Sequence, residues 1–509
     1  MSELSGISTD TTGEGATCPP QARKFVLVSA ILASSMGFID TSVVSLALPA
    51  IRSDLDATLV DAQWITNAYM LFLASLVLVG GAAGDVFGVR KVFATGVAVF
   101  VVTSALCALA WDENSLIVMR GAQGIGAALM VPGSLSIIAK AYPRETRGQA
   151  IGTWAAFSSI TTALGPIIGS LILSYGEDWM WRLIFAINVP FGLGVLAMLF
   201  LKVPADRGDS GRRLDFGGGL LATLALGSFS WGLTAYGPEA ASDVLPPAYW
   251  LALGAALSIL FLWWEKRARQ PMIKLELFRS PAFAGANVYT LVLFLAFNAI
   301  LFFLPMTLVT AWDALEWQAS LMLAPLSVFI GAMSRASGKF SDRFGPRVPL
   351  TAGALMLALS YLALALTMPL MNMWFVTLPI MCVNAFGMGL LVSPLSSSIM
   401  KAAPENDTGL ASGVNNAVAR SAGLVSIAAF GALAGTVFSG SIDPVVTGDL
   451  EGVGFGAFIP ADATDALKMA HADATNWAFQ VVAIFCAAIS LLAAAIGWVS
   501  QPGMRQSSR

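Results

Sequence analysis

Apolar stretches of about twenty residues follow one another along nearly the whole chain, each closed by a short polar or basic segment. They cover roughly 25–50, 62–84, 92–111, 115–139, 149–174, 183–201, 217–236, 248–264, 282–304, 318–338, 349–369, 374–400, 408–436 and 476–500. About 18 consecutive apolar residues are enough to cross a bilayer as a helix. The runs are continuous rather than alternating over ten residues, so they predict helices and not the strands of a barrel. The pattern therefore predicts an all-α polytopic membrane protein with 14 transmembrane helices and both termini on one side.

Charge tests that count. With the N-terminus inside, 22 basic residues fall in inside segments, from Arg23 and Lys24 through Arg207, Arg212 and Arg213 to Arg505 and Arg509. Only Arg52, Arg182 and Lys468 fall outside, while Arg120, Arg335 and Arg420 lie within spans. One missed span would exchange the sides of every later loop, so the positive-inside bias supports fourteen. Both termini are expected in the cytoplasm, in a plasma (inner) membrane.

Composition agrees: 57% of residues are hydrophobic and 12% charged, about half the charged fraction of a soluble domain. The net charge of −3 adds little. Cys18, Cys107, Cys382 and Cys486 lack CxxC spacing and read as small hydrophobes, with no disulfide expected. The polar first 22 residues read as a disordered tail without the basic start of a signal peptide. No nucleotide loop, metal-ligand cluster or soluble domain is visible, which argues against an enzyme or receptor. No cofactor, metal or nucleic acid is expected.

A repeat organises the spans. "GAAGDVFGVRK" follows the second and "GKFSDRFGPR" the tenth. Gly81, Asp85, Gly88, Arg90 and Lys91 in the first loop correspond to Gly338, Asp342, Arg343, Gly345 and Arg347 in the second. Glycine permits a positive-φ turn, an aspartate can cap a helix, and the basic residues hold the loop inside. The loops read as latches of the cytoplasmic face, with topology marking as the plainer reading of the cations. A duplicated loop implies two six-helix bundles related as parallel repeats. The expected division is a tail (1–24), an N-terminal bundle (25–203), two inserted helices with their loops (204–276), a C-terminal bundle (277–500) and a second tail (501–509).

With these motifs the chain resembles the major facilitator superfamily over roughly residues 25–500, and most closely its fourteen-span drug:proton antiporter branch. "DTSVVSLALP" and "QWITNAYML" resemble the branch's first two spans, "RGAQGIGAA" the fourth-span motif, and "ALGPIIGS" the fifth-span antiporter motif. "GLASGVNNAVARSAG" resembles its thirteenth-span opening. Val86 and Val89 stand where the loop motif usually has basic residues, and Thr161 occupies an expected glycine position.

Asp40 is the acid deepest in a span, about 15 residues into the first, or roughly 22 Å along a helix. A centrally placed Asp costs about 2.5–3.5 kcal/mol on insertion scales. It reads either as a structural acid paired with a neighbouring helix or as a proton site facing a wet cavity. Arg120, near the outer end of span four, reads as a snorkelling anchor or as the switchable partner of Asp40. The resemblance implies a coupling role for this arginine. Gly152, Gly165, Pro166 and Gly169 fit close packing or a gating bend, and the resemblance favours the bend. Arg335 and Arg420 read as structural. His471 reads as a solvated histidine, with pH sensing as the alternative, in an outer loop that carries Asp443, Asp449, Glu451, Asp462, Asp465 and Asp473 against Lys468.

The resemblance implies proton-coupled export (antiport) of small amphipathic, cationic organic compounds by rocking of the two bundles, by a monomer in the lipid bilayer. Trp64, Asn67, Tyr69, Gln123, Asn298, Phe302 and Phe303 are position-based candidates for the substrate-lining wall. One deep carboxylate implies one proton per monovalent cation, an electroneutral cycle in which each pH unit supplies about 1.4 kcal/mol. The alternatives are a dedicated exporter of one endogenous lipid or secondary metabolite, and a metabolite uptake symporter.

Overall fold

The computed structural model describes residues 18–503, apart from 176, 207, 209–213, 239–244, 405–406, 443–452 and 460–462. Most of both expected tails lies outside these residues, as do Arg207, Arg212, Arg213, Arg505 and Arg509 and the loop acids Asp443, Asp449, Glu451 and Asp462.

The N-terminal bundle comprises α1 (Pro20–Leu55), α2 (Leu59–Phe87), α3 (Val89–Ala108), α4 (Glu113–Ala141), α5 (Arg144–Tyr175) and α6 (Trp181–Lys202, interrupted at Ile187). An inserted pair follows, α7 (Phe216–Thr234) and α8 (Pro247–Arg267). The C-terminal bundle comprises α9 (Pro281–Ala311), α10 (Glu316–Phe344), α11 (Arg347–Thr367), α12 (Met373–Lys401), α13 (Thr408–Ser441) and α14 (Asp465–Ser500). Thirteen of these are long and apolar enough to cross a membrane; α5 is a helix of 32 residues whose apolar part is Gly165–Tyr175. The protein is thus a multi-pass, all-helical membrane protein of two bundles. Several boundaries differ from expectation, and two of them have a local cause. α1 begins at Pro20, inside the expected tail, because proline suits a helix's first turn. α14 begins at Asp465 rather than 476, where the Thr464 side chain accepts the Leu467 amide.

The repeat is visible in the packing. α2 and α3 pack on α4, and α1 on α5 and α6; one repeat later α10 and α11 pack on α12, and α9 on α13 and α14. Gly88 and Gly345 both take positive φ, +94° and +79°. The separation that relates the two loops also carries Gly96 onto Gly353. Each meets a glycine of the fourth helix of its bundle, Gly126 and Gly387, where an added Cβ would lie 2.9 Å and 2.8 Å from the facing carbonyl oxygen. Without side chains at these crossings the helices approach closely.

Two seams join the bundles, α2 against α13 and α5 against α10. The first is closed along its length, with Gly435, Gly431, Gly423 and Gly413 of α13 set against Leu59, Gln63, Met70 and Leu78 of α2. α7 packs on both helices of this seam and α8 rides on α7. The second seam is closed only at one end, where Ser174 donates to Glu316 at 2.8 Å. Toward the basic face, the half of α10 from Gly331 to Phe340 is largely exposed and Gly152 of α5 meets nothing within 4 Å. One hydrophobic core joins both bundles at the opposite end, running from Val43–Ile51 of α1 to Ile300–Val309 of α9. A separate core serves the basic end of the N-terminal bundle alone. The molecule is therefore sealed at the far face and open toward the basic face.

Candidate functional site

A cavity of about 280 Å³ lies between the bundles beside the open seam. α1 contributes Thr41, Ser42 and Ser45, α5 Pro166, α9 Asn298 and Phe302, and α10 a mostly apolar wall. Thr41 and Ser42 turn their hydroxyls back to the carbonyls of Gly37 and Phe38, each at 2.8 Å, which leaves an apolar surface. Thr66 and Ser320, buried in the wall, have hydroxyls without a partner among the described residues. The wall holds no carboxylate among the described residues.

Asp40 stands one residue round α1 from this wall, fully buried. Arg120 Nη1 donates to its Oδ2 at 2.6 Å and Gln123 Nε2 to its Oδ1 at 3.0 Å. Arg120 Nε also reaches the Ile65 carbonyl at 3.1 Å, and its guanidinium lies 4.4 Å from the Tyr69 ring centre and 5.5 Å from that of Phe185. Gln123 passes the network to Ser104 of α3, which accepts from Asn188 of α6 at 3.0 Å. Five of the six helices of the N-terminal bundle thus meet at one carboxylate. A buried acid is tolerable when it is charge-paired and hydrogen-bonded, and every described acid inside another helix lies within three turns of an end. The repeat separation carries Asp40 onto Phe297, so the C-terminal bundle has no counterpart.

α5 docks beside this acid. Ser35 donates to Thr161 at 3.0 Å, and a Cβ on Gly165 or Gly169 would lie 2.6 Å from Ile39 or 2.4 Å from Val43. These contacts fall at four-residue spacing, so α5 lays a flat face along α1. Gly152 lies away from it, exposed. Pro166 faces the cavity.

Of the seven residues expected to line the substrate wall, Asn298 and Phe302 do so. Gln123 and Tyr69 belong to the Asp40–Arg120 network instead. Trp64 packs at a tilt against Trp231 and Asn67 donates to Ser230, both on α7, because the inserted pair covers that face of α2. Phe303 points to the sealed end, against Phe455. His471 is buried there rather than solvated, since α14 starts earlier than expected. Its Nε2 lies 3.1 Å from the Gly454 carbonyl and its ring faces Phe438. Arg52 Nη1 donates to the neighbouring Phe455 carbonyl at 2.6 Å, tying α1 to the opposite bundle.

At the basic face the repeated loops are clamped alike. Arg90 Nε donates to the Leu199 carbonyl at the end of α6 at 3.0 Å, and Arg347 Nε to the Gln501 carbonyl just past α14 at 2.9 Å. Asp85, Lys91 and Asp342 are exposed, Asp342 pairing with Lys401 at 2.9 Å. Arg343 sits over the Phe344 ring. An added Cβ on Gly81 or Gly338 would meet Pro132 or Ser393.

Sequence reasoning missed Asp206. Its carboxylate accepts the Val89 and Arg90 amides at 2.8 and 2.9 Å, capping α3, and pairs with Lys140 at 3.2 Å. Partial burial alone would raise its pKa; the two amides and the ammonium outweigh that and hold it below the usual carboxylate range. The available signal was a lone acid between Lys202 and Arg207.

Two pseudo-symmetric six-helix bundles around a central cavity are the architecture of a membrane transporter. Residues 30–428 match the Major Facilitator Superfamily, and the chain belongs to that family. It is 30% identical over 419 residues to the multidrug resistance protein Stp of Mycobacterium tuberculosis (strain CDC 1551 / Oshkosh), covering 82% of this chain and 77% of that one. It is 31% identical over 413 residues to the tetracenomycin C resistance and export protein of Streptomyces glaucescens, covering 80% and 75%. The fold is similar to a bacterial homolog of the human lysosomal transporter Spinster, solved inward-facing and unoccupied, at a TM-score of 0.67 and 17% identity over 95% of this chain and 99% of that one.

Proposed function

We propose that the protein is a proton-coupled drug exporter of the fourteen-span antiporter branch. It carries amphipathic organic compounds out through the plasma membrane, with the basic face and both termini in the cytoplasm. The observation that carries this reading is the buried Asp40–Arg120 pair one residue behind the wall of an apolar inter-bundle cavity. Protonating Asp40 removes the charge that holds Arg120 and Gln123. Arg120 keeps the Ile65 carbonyl and the Tyr69 ring, so the cation stays accommodated while α1 is released from α4. α5 follows α1 through the Ser35, Ile39 and Val43 contacts and moves against α10, changing the cavity's opening. Substrate is held by non-directional burial, which tolerates varied shapes, with the Thr66 and Ser320 hydroxyls as polar contacts. Stp, named for multidrug resistance, supports a broad range.

A second reading is a dedicated exporter of one product, favoured by the relative named for tetracenomycin C. The test is efflux from proteoliposomes under an imposed pH gradient, using ethidium, 8-anilinonaphthalene-1-sulfonate and N-phenyl-1-naphthylamine, for wild type and Asp40→Asn. Gradient-dependent movement of at least one dye by wild type, absent in the variant, is expected. Equal transport by Asp40→Asn removes the proton site from Asp40; no movement of any dye by wild type moves the dedicated exporter into first place.

A further inference from the structure

Arg420 lies twelve residues into α13, deep in the span and without a carboxylate among the described residues. Its one hydrogen-bond partner among them is the exposed Asn416 side chain, at 3.0 Å. A half-buried guanidinium at such depth is costly without a counter-charge or an aqueous surface.

Its direction follows from the neighbours of α13. Asn415 bonds Thr290 of α9 at 2.7 Å on one side, while Gly413 and Gly431 face α2 on the other. Asn416, Arg420, Gly423 and Ile427 fall between those two sides at i, i+4, i+7 and i+11, one stripe of the helix. Ile427 is part of the cavity wall, and Gly423 abuts Met70 and Asn298, which line it too. The stripe thus continues the cavity toward the open face and ends in a guanidinium and an amide. The cavity offers an apolar body site with no acid in it, and its continuation offers an uncompensated cation.

We propose that Arg420, with Asn416, is the anion-binding end of the transport cavity, taking a carboxylate, sulfonate or phenolate borne by an aromatic amphipathic substrate. This rests on the export reading and names its substrate class as acidic rather than cationic. Arginine suits the role because its planar fork stays charged and donates two parallel hydrogen bonds to such oxyanions. One proton in for one monoanion out moves two positive charges inward per cycle, whereas exchange for a monovalent cation is electroneutral.

Equilibrium binding to the full-length protein in phosphatidylcholine nanodiscs tests the site without any gradient, empty discs being subtracted. The probes are 8-anilinonaphthalene-1-sulfonate and N-phenyl-1-naphthylamine, the same aromatic body with and without the sulfonate. Wild type should bind the sulfonate at least about tenfold more tightly. Arg420→Ala should abolish that preference and leave binding of the neutral probe unchanged, which also shows that the variant is folded. Arg420→Lys should keep part of it, because a point charge replaces the fork. The proposal is overturned if wild type shows no preference for the sulfonate, or if Arg420→Ala keeps the preference or weakens both probes equally. Loss of gradient-driven efflux with the preference intact would instead count against proton-coupled export alone.

Discussion

Asp40 shows what a single charge demands inside a membrane. Its two oxygens are taken by Arg120 and Gln123, and removing one member of a buried pair typically costs about 3–5 kcal/mol because the other is left uncompensated. Arg120→Ala should therefore lower the thermal unfolding midpoint of the purified protein clearly. Arg120→Ala combined with Asp40→Asn should recover much of the loss, because no buried carboxylate is then left unpaired. An Arg120→Ala protein as stable as wild type would mean that Gln123 alone satisfies the carboxylate. Thr161 teaches a related point. It departs from the glycine expected in the antiporter motif, yet its hydroxyl accepts from Ser35, so the side chain is used in docking α5 on α1 and not merely accommodated.

At the scale of elements, the α2–α3 connection is held by three groups: Gly88 at positive φ, the Arg90 clamp on α6 and the Asp206 cap on α3. The two loops were recognisable in the sequence because their glycines and acids repeat in register. Asp206 was not, because a cap supplied from more than a hundred residues away leaves no local spacing. Its depressed pKa fixes a sign. The cap's contribution is fully present above the ordinary carboxylate range and is lost as pH falls through the lower folded value. Hydrogen exchange at the Val89 and Arg90 amides, corrected for intrinsic rates, should accelerate between about pH 5 and pH 2. Asp206→Asn should flatten that dependence, and a pH-independent wild-type profile would show that the cap is not the charged carboxylate.

Across the whole molecule the two bundles are alike but their seams are not. The inserted pair α7–α8 covers the α2–α13 seam, and the α5–α10 seam stays uncovered and opens toward the basic face. In a variant lacking the four native cysteines, single cysteines at Ser334 and Asn416 should react with a membrane-impermeant maleimide at least about tenfold faster than cysteines at Leu48 and Leu304, which are fully buried in the sealed end. Faster labelling at Leu48 and Leu304 would show that the resting molecule is open at the other face.

Hydropathy by itself determined the helices and where along the chain they run, because lipid forces every backbone group to be satisfied within its own segment. The repeat determined that there are two bundles, and Asp40 was conspicuous as a charge out of place. Only the tertiary structure decided that Gln123 and Tyr69 join the Asp40–Arg120 network, that Trp64 and Asn67 face the insert, and that His471 is buried. In lipid the greater part of every face of a span is apolar, so the pattern says that a helix crosses but not which side of it meets a neighbour; those assignments exist only once the helices are packed.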